Sequence, residues 1–278
     1  MDEPVYLVAS RQGLYAARRG GFRLLISGRF FGIVALQDEV FAFRHGAWSD
    51  ENPNSGSIVR YRWRSGSLDE EAIMVAGLDQ NCHQLEHHDG RFFLVDTLNQ
   101  CILEFDTDWK PLASHQILPP AARESAGHAH LNSITVEGDR IWIMLHGGRS
   151  GRNSEIWEFD RSFSQIGRTI LPCTGCHDIV VLHDGRLLTC LSPRGEIQVG
   201  RDQVYSVDEL WTRGLAVGPS EIAVGSSLYG KRIHRTLLPG FLTFLDPAFD
   251  RIGRLYLPAA PTQVRLVAEA IVDCSVGW

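Results

Sequence analysis

The residues best placed to do chemistry are histidines. Of the 11 in the chain, His45, His83, His128, His130, His146 and His177 fall at recurring points of a strand–turn–strand pattern. A neutral imidazole is a good ligand for zinc, iron, copper or manganese. Three that converge and leave one coordination position open make the kind of site a catalytic metal needs. Mouth histidines of this sort can equally hydrogen-bond loop backbone or hold an acidic ligand. His87, His88 and His183 sit in "HHDG" and "LHDG", where a tight turn asks only for turn formers, and they read as solvated surface.

Other candidates cluster around the same points. Arg213, Arg149, Arg152 and Arg232 suit recognition of a carboxylate, phosphate or sulfate. In a chain of formal net charge −6 they suggest a small anionic substrate. His45, His146 and Asn132 are expected to line its pocket. Asp96, Asp178 and Tyr229 are the candidates for general acid or base, with Asp178 alternatively orienting its neighbour His177. Cys173-Thr174-Gly175-Cys176-His177 matches C-x-x-C-H, the attachment sequence for c-type haem. Haem attachment normally goes with export, and no export signal is visible. The repeat pattern already explains the segment, so a plain metal site is preferred to haem. A redox pair is another reading of the two cysteines.

The elements that must position these residues are strands. "RFFLVDT", "CILEFD", "RIWIMLH", "EIWEFD", "RLLTCLS" and "FLTFLD" are strand-length and rich in aromatic and branched residues. Strand–turn–strand units begin near Phe30, Cys82, Leu131, Cys176 and Thr212, at steps of 52, 49, 45 and 36 residues. A period near 45 residues with four strands marks the blades of a β-propeller. "VYLVAS", "GLYAARR" and "FRLLIS" at one end lack a first strand, and "TQVRLVAEA" at the other lacks partners. The expectation is an all-β, six-bladed propeller over residues 1–278, a single domain closed by strands from both ends. A five-bladed ring with terminal caps is the alternative.

In a propeller the first strand of each blade lines the channel, and its start shares a face with the loop after the second strand. First-strand starts carry Phe31, His83, Asn132, His177, Arg213 and Thr262 with Gln263. Second-strand ends carry Ser10, His45, Asp96 with Thr97, His146, Ser192 and Ser227. The histidines and Arg213 should therefore meet at one channel mouth. The expected cofactor is a divalent transition metal on His83, His130 and His177, with His128 as substitute.

"VDTLNQCILEFD" and "NSEIWEFD" resemble strands of the NHL-repeat and gluconolactonase-like six-bladed propellers, over nearly the whole chain. His83-Gln84-Leu85 and His177-Asp178-Ile179 resemble the "P-H-S-L" and "P-H-D-I" strand starts of peptidyl-hydroxyglycine amidating lyases, with Cys in place of Pro before each His. That resemblance implies a catalytic zinc held by histidines in the channel, with lyase activity. The third blade departs from the pattern, with Asn132 at the equivalent place and His130 two residues earlier.

Composition narrows the field. Hydrophobic residues make up 44% and charged residues 22% of the 278, ordinary for a folded protein and too apolar for a disordered one. No apolar run approaches the roughly 20 residues that span a bilayer. A mildly acidic chain without a basic run is a poor candidate for nucleic acid. Neither a P-loop, a dinucleotide fingerprint, a G-x-S-x-G elbow nor an H-E-x-x-H helix is present. Six cysteines without a signal peptide suggest reduced thiols in a cytoplasm. The functional expectation is a metal-dependent lyase, hydrolase or oxygen-using enzyme acting on a small anionic molecule. Its rival is a non-catalytic propeller that binds a ligand or protein on the same face.

Overall fold

The computed structural model describes residues 3–46, 52–64, 67–122, 125, 127–147, 151–230 and 238–267. They form six four-stranded antiparallel sheets. Blade 1 runs outward from Phe30–Leu36 through Glu39–Arg44 and Gly56–Arg64 to Ser67–Leu78. Blades 2 to 5 begin with Leu85–His88, Leu131–Glu137, His177–Val181 and Trp211–Val217. Blade 6 takes its inner strand, Pro261–Val267, from one end of the chain and its outer three, Val5–Ser10, Gly13–Arg18 and Gly21–Ser27, from the other. Val267 stands opposite Val5 and Val264 opposite Val8. The six-bladed ring is therefore the fold, and the five-bladed alternative is set aside. Closure by both ends removes the sheet edges that an open array would expose. No helix among the described residues is long and apolar enough to cross a membrane.

Alternation along the strands builds the core. Side chains of a strand point to opposite faces with period two. In Val5–Ser10, Val5, Leu7 and Ala9 pack with Phe30, Ile33 and Val59 of blade 1. Tyr6 and Val8 pack with Ala216, Leu242 and Phe244 of blade 5. Each sheet is thus apolar on both faces near the axis, and its outermost strand is wetter, as in Gln165–Ile170.

The channel is shaped by a repeated irregularity. The inner and second strands lose register between Phe30 and Ile33, Leu131 and Ser133, His177 and Ile179, and Thr212 and Leu215. Extra residues of this kind kink a strand and re-aim side chains. Blade 2 has the same irregularity where His83 and Gln84 both pair with Val95, and blade 6 where the pairing shifts between Ala9 and Ser10. His83 and Gln84, Asn132 and Ser133, His177 and Asp178, and Thr262 and Gln263, with Phe31 and Arg213, line one central cavity.

The second residue of each pair ties its blade to the next. Gln263 Oε1 accepts the Ile33 amide at 2.6 Å, and Gln84 Oε1 accepts that of Ile134 at 2.9 Å. Ser133 Oγ accepts the Asp178 amide at 2.9 Å, and Asp178 Oδ2 that of Gly214 at 2.8 Å. In blade 1 this place is Gly32, where a Cβ would lie 2.5 Å from both the His83 carbonyl oxygen and the Leu85 nitrogen. There the backbones touch without an intermediary.

Removing a stitch orphans a buried amide, which costs about 1–3 kcal/mol. Gln84→Ala and Gln263→Ala are each expected to lower the unfolding free energy by that amount in urea titrations. An unchanged midpoint with an unchanged slope would show that neither amide depends on its glutamine.

Candidate functional site at the channel mouth

Histidines come together at one mouth. Ring centroids run His83 to His130 at 5.0 Å, His130 to His146 at 5.0 Å, and His146 to His177 at 4.9 Å. Aromatic rings extend this arc at both ends. Phe31 lies 5.1 Å from His83 and 4.4 Å from His45, while Trp211 lies 6.1 Å from His177 and stacks on Tyr229 at 4.6 Å. His146, expected against substrate, is a full member of the imidazole row between His130 and His177.

The first and last rings of the row are anchored alike. His83 Nδ1 lies 2.6 Å from the Asn81 carbonyl oxygen and 2.8 Å from Thr97 Oγ1. Thr97 donates its own proton to the Leu131 carbonyl at 2.6 Å, so both neighbours can only accept from Nδ1. That places the proton on Nδ1 and the lone pair on Nε2. His177 Nδ1 lies 3.0 Å from Ser192 Oγ. Thr97 and Ser192 occupy matching places after the second strands of their blades. Neither Nε2 has a hydrogen-bond partner among the described residues, and both rings line the central cavity. Burial first, and then the Arg213 guanidinium, holds both imidazoles well below their ordinary range, with His45 and Arg11 adding to the effect on His83 and His146 and His130 to that on His177. Both are neutral at pH 7.

This neutrality has a stability consequence. In the unfolded chain these imidazoles take protons below about pH 6.5, whereas in the fold they do not until far lower. Stability is therefore highest above that value and falls as pH drops through it, by up to about 1.4 kcal/mol per pH unit for each ring. Urea titrations with chelator present, from pH 7.5 to 5.5, should show this loss, and His177→Asn should reduce its slope by one ring's share. A pH-independent midpoint over that range would contradict it.

The remaining expectations divide. His128 Nε2 donates to the Thr97 carbonyl at 3.0 Å, so it braces the loop that orients His83. Asn132 lines the cavity, but its Nδ2 donates to the Cys176 carbonyl at 2.9 Å. Asp178 lines the cavity too and is spent on Gly214; burial pushes its carboxyl up. It tethers blade 5 and makes no hydrogen bond to His177. Asp96 does not line the cavity: its oxygens accept the Asn99 amide at 3.1 Å and the Asn99 Nδ2 at 2.8 Å, a turn closure. Arg152 lies exposed beside Glu155 and lines neither mouth cavity. Arg149 and Arg232 lie outside the described residues.

Arg213 joins two spaces. One is the central cavity, with about 10 Å³ free, the size that holds about one water. The other is a shallower hollow lined by Arg11, Trp211, Arg213, Ser227, Leu228 and Tyr229. The guanidinium carbons of Arg11 and Arg213 each lie 5.1 Å from the Phe31 ring centre. Two cations on one ring favour an anion between or above them. Arg11 and Trp211 were not legible as site residues. Their signal was adjacency, since Arg11 follows Ser10 at a second-strand end and Trp211 opens an inner strand.

Fit to a metal ion can be judged from the donors. Neutral imidazoles with an anchored Nδ1 are the usual form of metal-binding histidine. Two imidazoles on one tetrahedral ion put their ring centres about 5 Å apart, which matches each neighbouring pair. Among the described residues, however, no three His, Cys, Asp or Glu side chains are placed to share one ion. His83 and His177 stand at opposite ends of the row, so gathering both on one ion with a third ligand requires rings of the row to rotate. For c-type haem the fit fails on packing. Cys176 is fully buried among Met144, Ile156, Leu171, Ile179 and Leu191, and thioether attachment would require it to leave that core. Next to it, a hydrogen bond from Cys176 holds the Cys173 thiol below its ordinary value.

No family model matches the chain, and no curated protein does. Solved structures do. A chain of the nidogen–laminin complex aligns with a TM-score of 0.71 at 9% identity, over 95% of this chain and 98% of that one. A candidate 6-phosphogluconolactonase from Bacteroides fragilis aligns at 0.57 and 12% identity, over 96% and 98%. Another from Bacteroides uniformis aligns at 0.59 and 11%, over 96% and 100%. At such identities these likenesses define the class by fold alone: a six-bladed β-propeller.

Proposed function

We propose that the protein is a metal-dependent enzyme acting on a small anionic substrate at this mouth. The row of four imidazoles about 5 Å apart carries the reading. Its end members line a cavity together with the Asp178 carboxyl, whose Oδ2 accepts the Gly214 amide. His83 and His177 would hold a divalent transition ion through Nε2, with His130 or His146 turning in as third ligand. Such an ion polarises a substrate oxygen or lowers the pKa of a bound water. Arg213 and Arg11 hold the anionic group, with Trp211 and Tyr229 bounding the hollow beside it. The imidazole left off the metal stands beside it in the same row, placed to exchange a proton with substrate or water.

Hydrolysis of an anionic lactone or ester is the favoured class. The support is the pair of arginines together with the fold shared with candidate 6-phosphogluconolactonases. Lyase chemistry is the alternative within the enzyme reading. The test is metal content after metal-replete expression, with turnover of a panel of phosphorylated and carboxylated sugar lactones with and without chelator. About one ion per chain and chelator-sensitive turnover are expected. A metal-free protein that turns over nothing would overturn the proposal.

Arg213→Ala should raise KM for an anionic substrate about 10–100-fold, the worth of one charge-assisted contact. Arg213→Lys should recover only part of this, because an ammonium lacks the planar fork. Equal KM in all three proteins would remove Arg213 from the anion site.

One feature favours the binding-module reading. Leu228 and Tyr229 are 52% and 67% exposed at the rim beside Trp211, an apolar lip suited to a peptide loop. That reading expects ligand binding at the mouth with no turnover and no metal.

A further inference from the structure

We propose that Cys173 and Cys176 form a reversible disulfide, a redox site on the link between blades 3 and 4. The two Sγ atoms lie 3.5 Å apart, and both thiols are free. A disulfide needs about 2.05 Å, so closure asks each side chain for a small movement.

The loop is already held in the shape that closure needs. Ser154 donates its amide to the Cys173 carbonyl at 2.8 Å, and its Oγ accepts the Cys176 amide at 2.9 Å. Between the cysteines, Gly175 takes φ of +83° and donates to the His146 carbonyl at 2.8 Å. A single residue, Ser154, therefore holds both cysteine backbones. Turn conformation and side-chain direction are set before any bond forms.

Access sets the order of events. Cys173 is half-buried, whereas Cys176 is fully buried. A small external disulfide, RSSR, meets Cys173 first. The Cys173 thiolate attacks one sulfur, the S–S bond breaks, and one RS⁻ leaves with the electron pair. The Cys176 thiolate then attacks the Cys173 sulfur of the mixed disulfide, and the second RS⁻ leaves. Two protein thiols and one RSSR become one protein disulfide and two RSH, with the two thiol protons ending on the leaving groups. Cys82, Cys101 and Cys190 are buried, and none shares such a partner among the described residues.

The place matters because the loop touches the imidazole row at two points. Gly175 holds the His146 carbonyl, and His177 follows Cys176 directly. Cys176 also offers its carbonyl to Asn132. The oxidation state of the pair thus bears on the spacing of His146 and His177 without involving either ring in the sulfur chemistry. The disulfide itself does not depend on the metal proposal.

The test equilibrates the native protein in mixtures of reduced and oxidised glutathione, quenches with acid, unfolds and alkylates it. Tryptic peptide 169–186 holds Cys173, Cys176 and no other cysteine. In mostly reduced buffer it should carry two alkyl groups. In mostly oxidised buffer it should carry none and be lighter than the dithiol peptide by two hydrogens, and added reductant should reverse the change. Cys173→Ser should leave Cys176 as a free thiol in every buffer. The readout is on the wild-type protein, so poor folding of a Cys176 variant does not affect it. A peptide that stays doubly alkylated throughout, or that stops at glutathione on Cys173, would overturn the proposal.

Discussion

Deleting residues 3–27 should abolish the folded propeller, not merely fray one edge. Those residues supply three of the four strands of blade 6. Tyr6, Leu7, Val8, Leu14 and Tyr15 are almost wholly buried, and they face two neighbours at once. Val5, Leu7 and Leu14 belong to the core shared with blade 1, Tyr6, Val8 and Tyr15 to that shared with blade 5. Each large side chain stabilises by about 1.5–3 kcal/mol on burial. The sum is comparable with the entire 5–15 kcal/mol of a typical domain. The truncated chain is expected to show no cooperative melting transition and to aggregate. A soluble monomer with wild-type circular dichroism and a sharp transition would contradict the closure argument. As a graded companion, Leu7→Ala alone should lower stability by about 2–5 kcal/mol.

Affinity for a divalent transition ion should collapse when either end of the imidazole row is removed. His83→Ala and His177→Ala are each expected to weaken binding by about 100-fold or more, because loss even of an orienting partner costs about 10–100-fold. Ser192→Ala, which releases the Nδ1 anchor of His177, should fall in that smaller range, and Thr97→Val should cost less, because His83 keeps the Asn81 carbonyl at 2.6 Å. His130→Ala and His146→Ala distinguish the third ligand, since only the ring that rotates in should matter as much as the ends. Arg213→Ala should keep its metal. Zinc or manganese titration by calorimetry on chelated, tag-free protein gives all of these values. Equal affinity across the set, or none in the wild type, would leave the row as an anion-binding or structural cluster.

Much of this architecture was legible in the residues. Alternating apolar strands, D-G and E-G-D turns, and a spacing near 45 residues between hairpins carry a propeller in the local pattern. The unpaired strands at the two ends carry its closure. His83 and His177 were legible because the same neighbours recur: Cys before, a polar residue and then Leu or Ile after. Asp96 was not legible as a turn closure, because its partner Asn99 lies three residues along a loop that is typical of many roles. Nor were Gln84, Ser133 and Gln263, whose partners lie in the next blade.

Strand identity and the four-stranded repeat follow from the sequence by itself, because they rest on periodicities of two and about 45 residues that each segment carries within itself, whereas six blades over five was decided by the pairing of Val5–Ser10 with Pro261–Val267. The tertiary structure alone decided which polar groups meet. His146 enters the imidazole row between His130 and His177, and Arg11 joins Arg213 over Phe31. Gln263 reaches an amide 230 residues away in sequence. The physical reason is the irregular start of each inner strand. One extra residue there re-aims a side chain by a full face, and where it points depends on the neighbouring blade that packs against it.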